Sequence, residues 1–426
     1  MKTITAVLIG AGLRGMDVYA TYALQNPGEI KFVAVAEPNE ARRSMFCKAH
    51  NIPEENSFTS WQELLGRPRM ADTAFICTQD RMHYKPTLEA LEKGYHILLE
   101  KPMSNNMSEC MEMERCAARN KRFISVCHVL RYSPFYAALK DIIAGGKIGD
   151  IMSIQQTENV AYWHQAHSFV RGNWRNAGES SPMILQKSCH DMDIISWLVD
   201  QKCTKVSSFG SLIHFKSSNA PEGSPKRCLD GCPVSGSCIY YAPGQYLTDD
   251  TGWPTSAISN DLSLEGRTKA LKEGPYGRCV YHCDNDVVDH QVVNLEFERG
   301  ATASFTMCAF TADGGRTVKV MGTKGQIRGH MEKNEIEVHI FGEKQAEAYP
   351  VLNYEITGDS AAYGHGGGDY GLMKDFVRLA SSGSEADGLT SARASLQSHL
   401  MAFAAEISRL ENRTVWLDRL ITQRVD

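Results

Sequence analysis

The sequence predicts an α/β protein in two parts: an amino-terminal doubly wound parallel sheet over residues 1–127, and a carboxyl-terminal α+β part over 128–426 with a mostly antiparallel open sheet. Three observations carry this. Short apolar runs alternate with helical stretches through the first part, a glycine-rich turn follows the first run directly, and beyond about residue 127 the texture changes to period-two strands. The apolar runs lie at 4–9, 31–36, 74–77, 95–99 and 122–127, each bounded by Gly, Pro or polar residues. Segments of helical period fill the spaces between them, at 14–24, 84–93 and 105–119. Short buried strands separated by helices imply parallel βαβ units. In the second part, 291–298 and 301–307 alternate apolar and polar residues around Arg299-Gly300, the pattern of a hairpin. Strands continue at 318–321, 326–328 and 335–340, broken by Gly322 and Gly325. Residues 371–379 and 391–410 read as helices, the latter with Leu396, Leu400, Phe403 and Ile407 at core spacing. Between them, about 217–286 is rich in Gly, Pro and Cys and poor in apolar runs, so it reads as an insertion that needs a staple of its own.

At 426 residues the chain is long enough for two cores. A 42 % hydrophobic share, a 22 % charged share and a formal net charge of −5 exclude a disordered chain and give no basic face for nucleic acid. No run approaches the ~18 apolar residues of a membrane span, and the opening residues run into a glycine turn with no cleavage-type site, so a soluble, cytoplasmic protein is expected. Eight of the thirteen cysteines are scattered through apolar or helical stretches, where buried thiols are the ordinary reading.

Gly10-Ala11-Gly12-Leu13-Arg14-Gly15 follows the first strand and opens the first helix, the setting that separates a dinucleotide fingerprint from a chance match. Gly10 allows the tight turn, Gly12 lets the backbone approach a pyrophosphate, and Gly15 lets helix and strand pack closely. Glu37 ends the second strand, 22 residues beyond Gly15, where an acid binds the adenosine ribose hydroxyls and repels a 2′-phosphate. NAD is therefore expected over NADP, with Arg42 and Arg43 either softening that preference or standing as surface charges. The fourth run ends in Glu100-Lys101-Pro102, also at the carboxyl edge of the sheet. Proline restrains the chain there, and a held lysine beside a nicotinamide has a task in polarising a carbonyl or exchanging its proton.

Taken together, the glycine motif with Glu37-Pro38, then Glu100-Lys101-Pro102, then Trp174-Arg175 and a helix beginning near His190 resemble the glucose-fructose oxidoreductase and inositol dehydrogenase (Gfo/Idh/MocA) family, from residue 1 to about 410 apart from the insertion. The resemblance implies a Rossmann domain followed by an α/β domain whose open sheet carries the substrate pocket and mediates homo-oligomers, dimers or tetramers. It implies that Lys101 serves catalysis at the nicotinamide end and that Glu100, Trp174 and Arg175 border the cofactor. It further implies that Thr78, His83 and His128 line the cofactor pocket and that Arg131 positions the substrate.

One departure from the family pattern stands out. The family carries Asp, three residues, then His at the start of the second-domain helix; here Gln186 holds the aspartate position and Lys187 is an added cation, while His190 matches the histidine. His190 thus lacks an expected orienting partner, and either His190 or Lys187 binds or deprotonates the substrate hydroxyl. Tyr162, His164, His167 and Arg171 form a polar aromatic stretch suited to a sugar ring. His365 precedes three glycines and Asp369, which reads equally as a helix cap and as a pocket element. Cys228 and Cys232, Cys279 and Cys283 form two pairs with Cys238 between, a spacing that suits a structural zinc site; incidental thiols, an iron–sulphur cluster and disulfides are the alternatives, and which four bind is open. The leading expectation is an NAD-dependent dehydrogenase acting on a secondary ring alcohol of a sugar, sugar derivative or cyclitol. The alternatives are a glycosidase that uses NAD transiently and a nucleotide-sensing binding protein without turnover.

Overall fold

Six parallel strands form the first sheet of the computed structural model, which describes residues 3–342, 347–350, 364–382 and 388–422. In chain order they are β1 (Ile4–Ile9), β2 (Ile30–Ala36), β3 (Ser57–Phe58), β4 (Thr73–Ile76), β5 (His96–Leu99) and β6 (Ile124–Val126). They lie side by side as β3-β2-β1-β4-β5-β6, so the strand order reverses between β1 and β4. Open α/β sheets bind ligands in the crevice at such a reversal, outside the carboxyl ends of the strands. Alternate residues of β1 enter different apolar layers: Ala6 and Leu8 pack with Phe32 and Phe75, whereas Val7 and Ile9 pack with Ile76 and Leu99. Burial on both faces is why these strands read as unbroken apolar runs.

The first crossover departs from a simple helix. Arg14–Tyr19 is wound as a π-helix and Ala20–Gln25 continues as α-helix. Helix Gly368–Ser382, assigned by the sequence to the second part, returns to cover the first sheet. Its Leu372, Met373 and Phe376 join the same layer as Phe32 and Phe75, with the Phe376 and Phe75 rings 5.2 Å apart.

Nine strands make the second sheet: β7 (Ile151–Ala161), β8 (Cys203–Ser211), β9 (His290–Phe297), β10 (Thr302–Thr311), β11 (Gly315–Gly322), β12 (Gly325–His330), β13 (Glu335–Ile340), β14 (Glu347–Pro350) and β15 (Val415–Trp416). Their order is β14-β13-β12-β11-β7-β10-β9-β8-β15, antiparallel throughout except for the parallel β7–β10 pair. The hairpin at Arg299-Gly300 forms as its alternation requires, with Gly300 at φ +88°. Val293, Leu295 and Phe297 of β9 and Ala303, Phe305 and Met307 of β10 point inward onto the helices Cys189–Val199 and Ala392–Glu411. Leu396 and Phe403 of the second helix touch the layers of both sheets, so this helix is wedged between them. The outer face is open and carries Phe209 and Val292, paired across β8 and β9.

Residues 217–286 contain no named strand, only short helices and turns. Their apolar packing is confined to two small groups, one around Phe215, Tyr240 and Val280 and one around Cys228, Ala242, Tyr246 and Leu271. No helix among the described residues is long and apolar enough to cross a membrane.

Candidate active site

The turn after β1 shows what each glycine is for. Gly10 sits at φ +96°, where an added Cβ would also stand 2.6 Å from the Cys77 carbonyl oxygen. At Gly15 a Cβ would meet the Gly10 carbonyl oxygen at 2.4 Å, so that glycine sets how closely helix and strand approach. At Gly12 nothing lies within 4 Å, which leaves an open side of the turn of the kind a pyrophosphate occupies. Beside it, the buried Thr78 Oγ1 past the end of β4 has no hydrogen-bond partner within the protein. Glu37 is buried at the end of β2, taking the Ala11 N–H at 2.8 Å on one oxygen and the Asn39 N–H at 2.9 Å and Arg42 at 3.1 Å on the other. These residues fit a dinucleotide: an open glycine for phosphate, an orphaned hydroxyl, and a fixed carboxylate for ribose hydroxyls.

Several residues expected to touch the cofactor instead hold the cradle in shape. Arg14 turns away from Gly12 and bonds Glu100 at 2.8 Å and Asp369 at 2.6 Å, and Tyr19 donates to the same Glu100 carboxylate. Burial opposes the Glu100 charge, but Arg14 and Lys101 overcome it and hold the carboxyl below its usual range. Asp369 therefore does not cap its helix; it is a buried counter-ion that ties the returning helix to the nucleotide turn. His83 bridges two strand ends, its ring nitrogens 2.8 Å from the Pro102 carbonyl and 3.0 Å from the Thr78 carbonyl. Asp80 accepts from the hydroxyls of Ser180 at 3.2 Å and Ser181 at 2.8 Å, joining the edge of β4 to the second part. Trp174 packs on Phe169, and Arg175 is engaged by Asp284 at 2.8 and 3.0 Å and by Glu179 at 3.1 Å, so that pair secures the neck of the insertion.

Across the crevice, Lys101 reaches into the second part, where its ammonium donates to the Gln186 carbonyl at 2.7 Å. The same cation is close enough to His164, His190 and His128 to make their protonation harder. His190 is buried at the start of helix Cys189–Val199, and its Nδ1 has no partner. Burial first, then Lys101, His365 and His128, push its basicity well below that of an ordinary imidazole. A neutral imidazole with a free nitrogen is a proton acceptor, and no carboxylate at position 186 is required to keep it so. His365 stands with its ring 5.7 Å from that of His190 and donates from Nδ1 to Asp369 at 3.1 Å, at a backbone φ of +56°. Its own basicity is lowered, chiefly by burial.

The acid missing at Gln186 has counterparts one layer back. Lys187 pairs with Glu158 of β7 at 3.2 Å, Glu158 also meets Arg316 of β11, and Arg316 bonds Asp191 at 2.9 and 3.2 Å. Burial raises the Asp191 carboxyl to about 6 despite Arg316, with Glu158 pushing it further. Glu158, Asp191 and Arg316 are scattered in sequence and share no motif, which is why the sequence does not reveal them. Trp253 is another such residue: it leaves the insertion to pack against His164 at 4.9 Å and Trp163 at 5.5 Å between ring centres.

Four residues expected to line the substrate pocket, and His128, expected at the cofactor, are engaged by other parts of the protein. Arg131 makes a bidentate pair with Asp193, 2.7 Å on each arm, and so positions the helix of His190 instead of meeting substrate. His128 lies fully buried beside this pair, 3.9 Å from Asp193, and burial above all holds it to about 3. His167 bonds the Tyr246 hydroxyl at 2.9 Å and stacks on Tyr276, which turns it into the insertion. Arg171 is completely buried and donates to the carbonyls of Arg278 at 2.7 Å and Tyr240 at 2.6 Å. Tyr162 is half-buried against Tyr240. His164 and His365, by contrast, do gather around Lys101, Lys187 and His190. Of the insertion's five cysteines, Cys228, Cys232, Cys238 and Cys279 line one cavity of about 10 Å³ with Arg171 and Tyr240. Cys283 does not line it; its thiol donates to the Cys279 carbonyl at 3.3 Å.

Comparison with known proteins agrees with this fold. Residues 4–128 match the model of an oxidoreductase family with an NAD-binding Rossmann fold, and residues 136–328 match the GFO/IDH/MocA C-terminal domain. The chain is 24 % identical to YteT of Bacillus subtilis over 78 % of each chain. It is 29 % identical to trans-1,2-dihydrobenzene-1,2-diol dehydrogenase of Bos taurus over 62 % of this chain and 72 % of that one. Among solved structures, levoglucosan dehydrogenase in complex with NADH and levoglucosan superposes with a TM-score of 0.70 at 18 % identity, covering 97 % of this chain and 99 % of the other. Matches along both parts of the chain, over a six-stranded sheet whose order reverses beside the glycine turn, place this protein in the Gfo/Idh/MocA family of NAD-binding oxidoreductases.

Proposed function

We propose that this protein is an NAD-dependent dehydrogenase that moves a hydride to or from a secondary ring alcohol of a sugar, a sugar derivative or a cyclitol. The observation that carries the reading is the meeting of a cation and a neutral base: the Lys101 ammonium at the Gln186 carbonyl, and the buried, uncharged His190 within its field. NAD supplies the hydride acceptor or donor. The glycine turn and Glu37 would hold its pyrophosphate and ribose, and Glu37 favours NAD over NADP because a carboxylate repels a 2′-phosphate. His190 takes the hydroxyl proton during oxidation, and the nearby Lys101 charge steadies the oxygen as its bond order changes. Lys187, held by Glu158, orients a second hydroxyl, while the His164, Trp163 and Trp253 rings offer aromatic surface to the ring's C–H face. The relatives support the substrate class, since dihydrobenzene-diol and levoglucosan both carry secondary alcohols on a ring.

A reducing, cytoplasmic setting accords with thirteen unpaired cysteines, and the open outer face of the second sheet, with Phe209 and Val292 exposed, is the surface a homo-oligomer would cover. Incubation of the purified protein with NAD and a panel of sugars, inositols and cyclic diols is expected to generate NADH absorbance with at least one of them. Release of nitrophenol from a chromogenic glycoside without net NADH would replace this reading with transient-oxidation glycosidase chemistry, and NAD binding without any turnover would replace it with a sensor.

A further inference from the structure

We infer that Cys228, Cys232, Cys238 and Cys279 are the thiolate ligands of one structural zinc ion, which closes the insertion and anchors it beside the substrate wall. The four thiols come from distant stretches of chain yet face a single cavity of about 10 Å³, about the room of one small ion or water. Backbone pairing puts them there. Arg227 and Arg278 form an isolated antiparallel bridge, with the Cys228 N–H on the Gly277 carbonyl and the Cys279 N–H on the Lys226 carbonyl, each at 2.9 Å. Cys232 and Cys238 flank a tight turn in which the Cys238 N–H bonds the Val234 carbonyl at 2.9 Å.

The second observation is a charge without a counter-charge. Arg171, a guanidinium with five N–H donors and no acceptor, lines the same cavity and is fully buried. Among the described residues it meets no carboxylate: two backbone carbonyls, the Cys228 sulphur at 3.8 Å and the Tyr246 hydroxyl stand around it, and its Nη1 is buried without a hydrogen bond. Four thiolates around a divalent cation carry a net charge of −2, which is the missing counter-ion. Binding is a simple exchange, in which four S–H bonds give up their protons to solvent as four S–Zn bonds form, and no electron moves. The sulphurs line the cavity without yet being drawn into a ligand shell, since no three Cys, His, Asp or Glu side chains of the described residues are gathered tightly enough to hold an ion as they stand. Loading requires the four sulphurs to close in on the cavity they line. The buried apolar packing of 217–286 amounts to two small groups, and Trp253, His167 and Tyr246 link the segment to the aromatic wall.

The test is elemental analysis of the full-length protein purified without a metal-affinity tag. About one zinc per chain is expected, and Cys238→Ser and Cys279→Ser should each lose most of it, whereas Cys283→Ser should keep it. Cobalt(II) exchanged into the parent protein should give the absorbance of a tetrahedral thiolate site, a readout that does not depend on any variant folding. Parent protein with neither zinc nor the cobalt spectrum overturns the inference, as does iron with acid-labile sulphide, a disulfide among the four, or loss of zinc from Cys283→Ser with retention in Cys238→Ser.

Discussion

Replacing Lys101 by methionine separates chemistry from binding. Methionine keeps the length of the stem and removes the charge. The Glu100 network survives, because that carboxylate is held by Arg14, by Tyr19 and by the Lys101 backbone N–H at 2.9 Å, none of which is the Lys101 side chain. The cradle at Gly10, Gly12, Gly15 and Glu37 is likewise untouched, so the dissociation constant for NAD should stay within about threefold. Removing one preorganised charge or donor from a reacting oxygen costs ~10²- to 10³-fold, or about 3–4 kcal/mol in the barrier, and kcat should fall by that amount. A second signature follows from the charge itself. After burial, Lys101 is the leading charge that opposes protonation of His190, and it adds to Lys187 and His167 in opposing that of His164. Without it the His190 imidazole becomes more basic, and the residual rate, which needs the neutral ring, should show its acidic limb at higher pH than the parent. NADH production at saturating NAD over a pH series measures both. Turnover within about tenfold of the parent, or a collapse of NAD affinity alongside kcat, would refute the assignment of Lys101 to steadying the reacting oxygen.

Two alanine substitutions in the glycine turn should part company. Gly12→Ala meets nothing within 4 Å, so its melting temperature should match the parent while NAD affinity drops at least tenfold in a calorimetric titration; Gly15→Ala drives a Cβ to 2.4 Å from the Gly10 carbonyl and should lose stability and binding together. Arg131→Ala strands Asp193 in the interior without its bidentate partner, and urea denaturation should register a loss of about 3–5 kcal/mol. Acid should destabilise the fold early. His128 is held to about 3 and His399 to about 4, both primarily by burial, so an unfolded imidazole near ~6.5 takes up a proton that the folded one refuses. That stability is present above about pH 6.5 and is lost as pH falls through the window down to 4, at ~1.4 kcal/mol per pH unit for each histidine, with Asp191, raised to about 6, opposing the loss. Urea midpoints measured between about pH 7 and 5 should fall, and His128→Asn should flatten the slope.

What the sequence made legible is what is decided locally. The glycine motif can be read because its steric demands lie within a few residues, and the parallel strands because burial on both faces leaves no polar alternation. The π-helical winding of Arg14–Tyr19 carries no such pattern. The misread side chains share one cause: a polar residue facing a ligand and one facing a distant protein partner look alike in sequence. Arg14 and Asp369 are 355 positions apart, Arg171 meets carbonyls at 240 and 278, and His167 meets Tyr246. Each was expected to cap a helix or to contact a ligand, and each is satisfied by a group that only the tertiary fold brings near.

The same distinction bears on Gln186. In a site with an aspartate there, the carboxylate would pull a proton onto His190 as well as orient it. Here the acids one layer behind position 186, Glu158 and Asp191, are occupied by Lys187, Arg316 and Gln156, and neither raises the basicity of His190. Burial above all, and then the Lys101 charge, act in the other direction, so the ring stays neutral. Gln186 is also the residue whose backbone carbonyl holds the Lys101 ammonium, and that interaction is indifferent to the side chain. Gln186→Asp is therefore expected to leave Lys101 in place, bring a negative charge beside His190 and move the acidic limb of the rate profile upward, with kcat at about pH 8 changing far less than at pH 6. A profile that does not move would show that His190 is not the group whose neutral form carries the reaction.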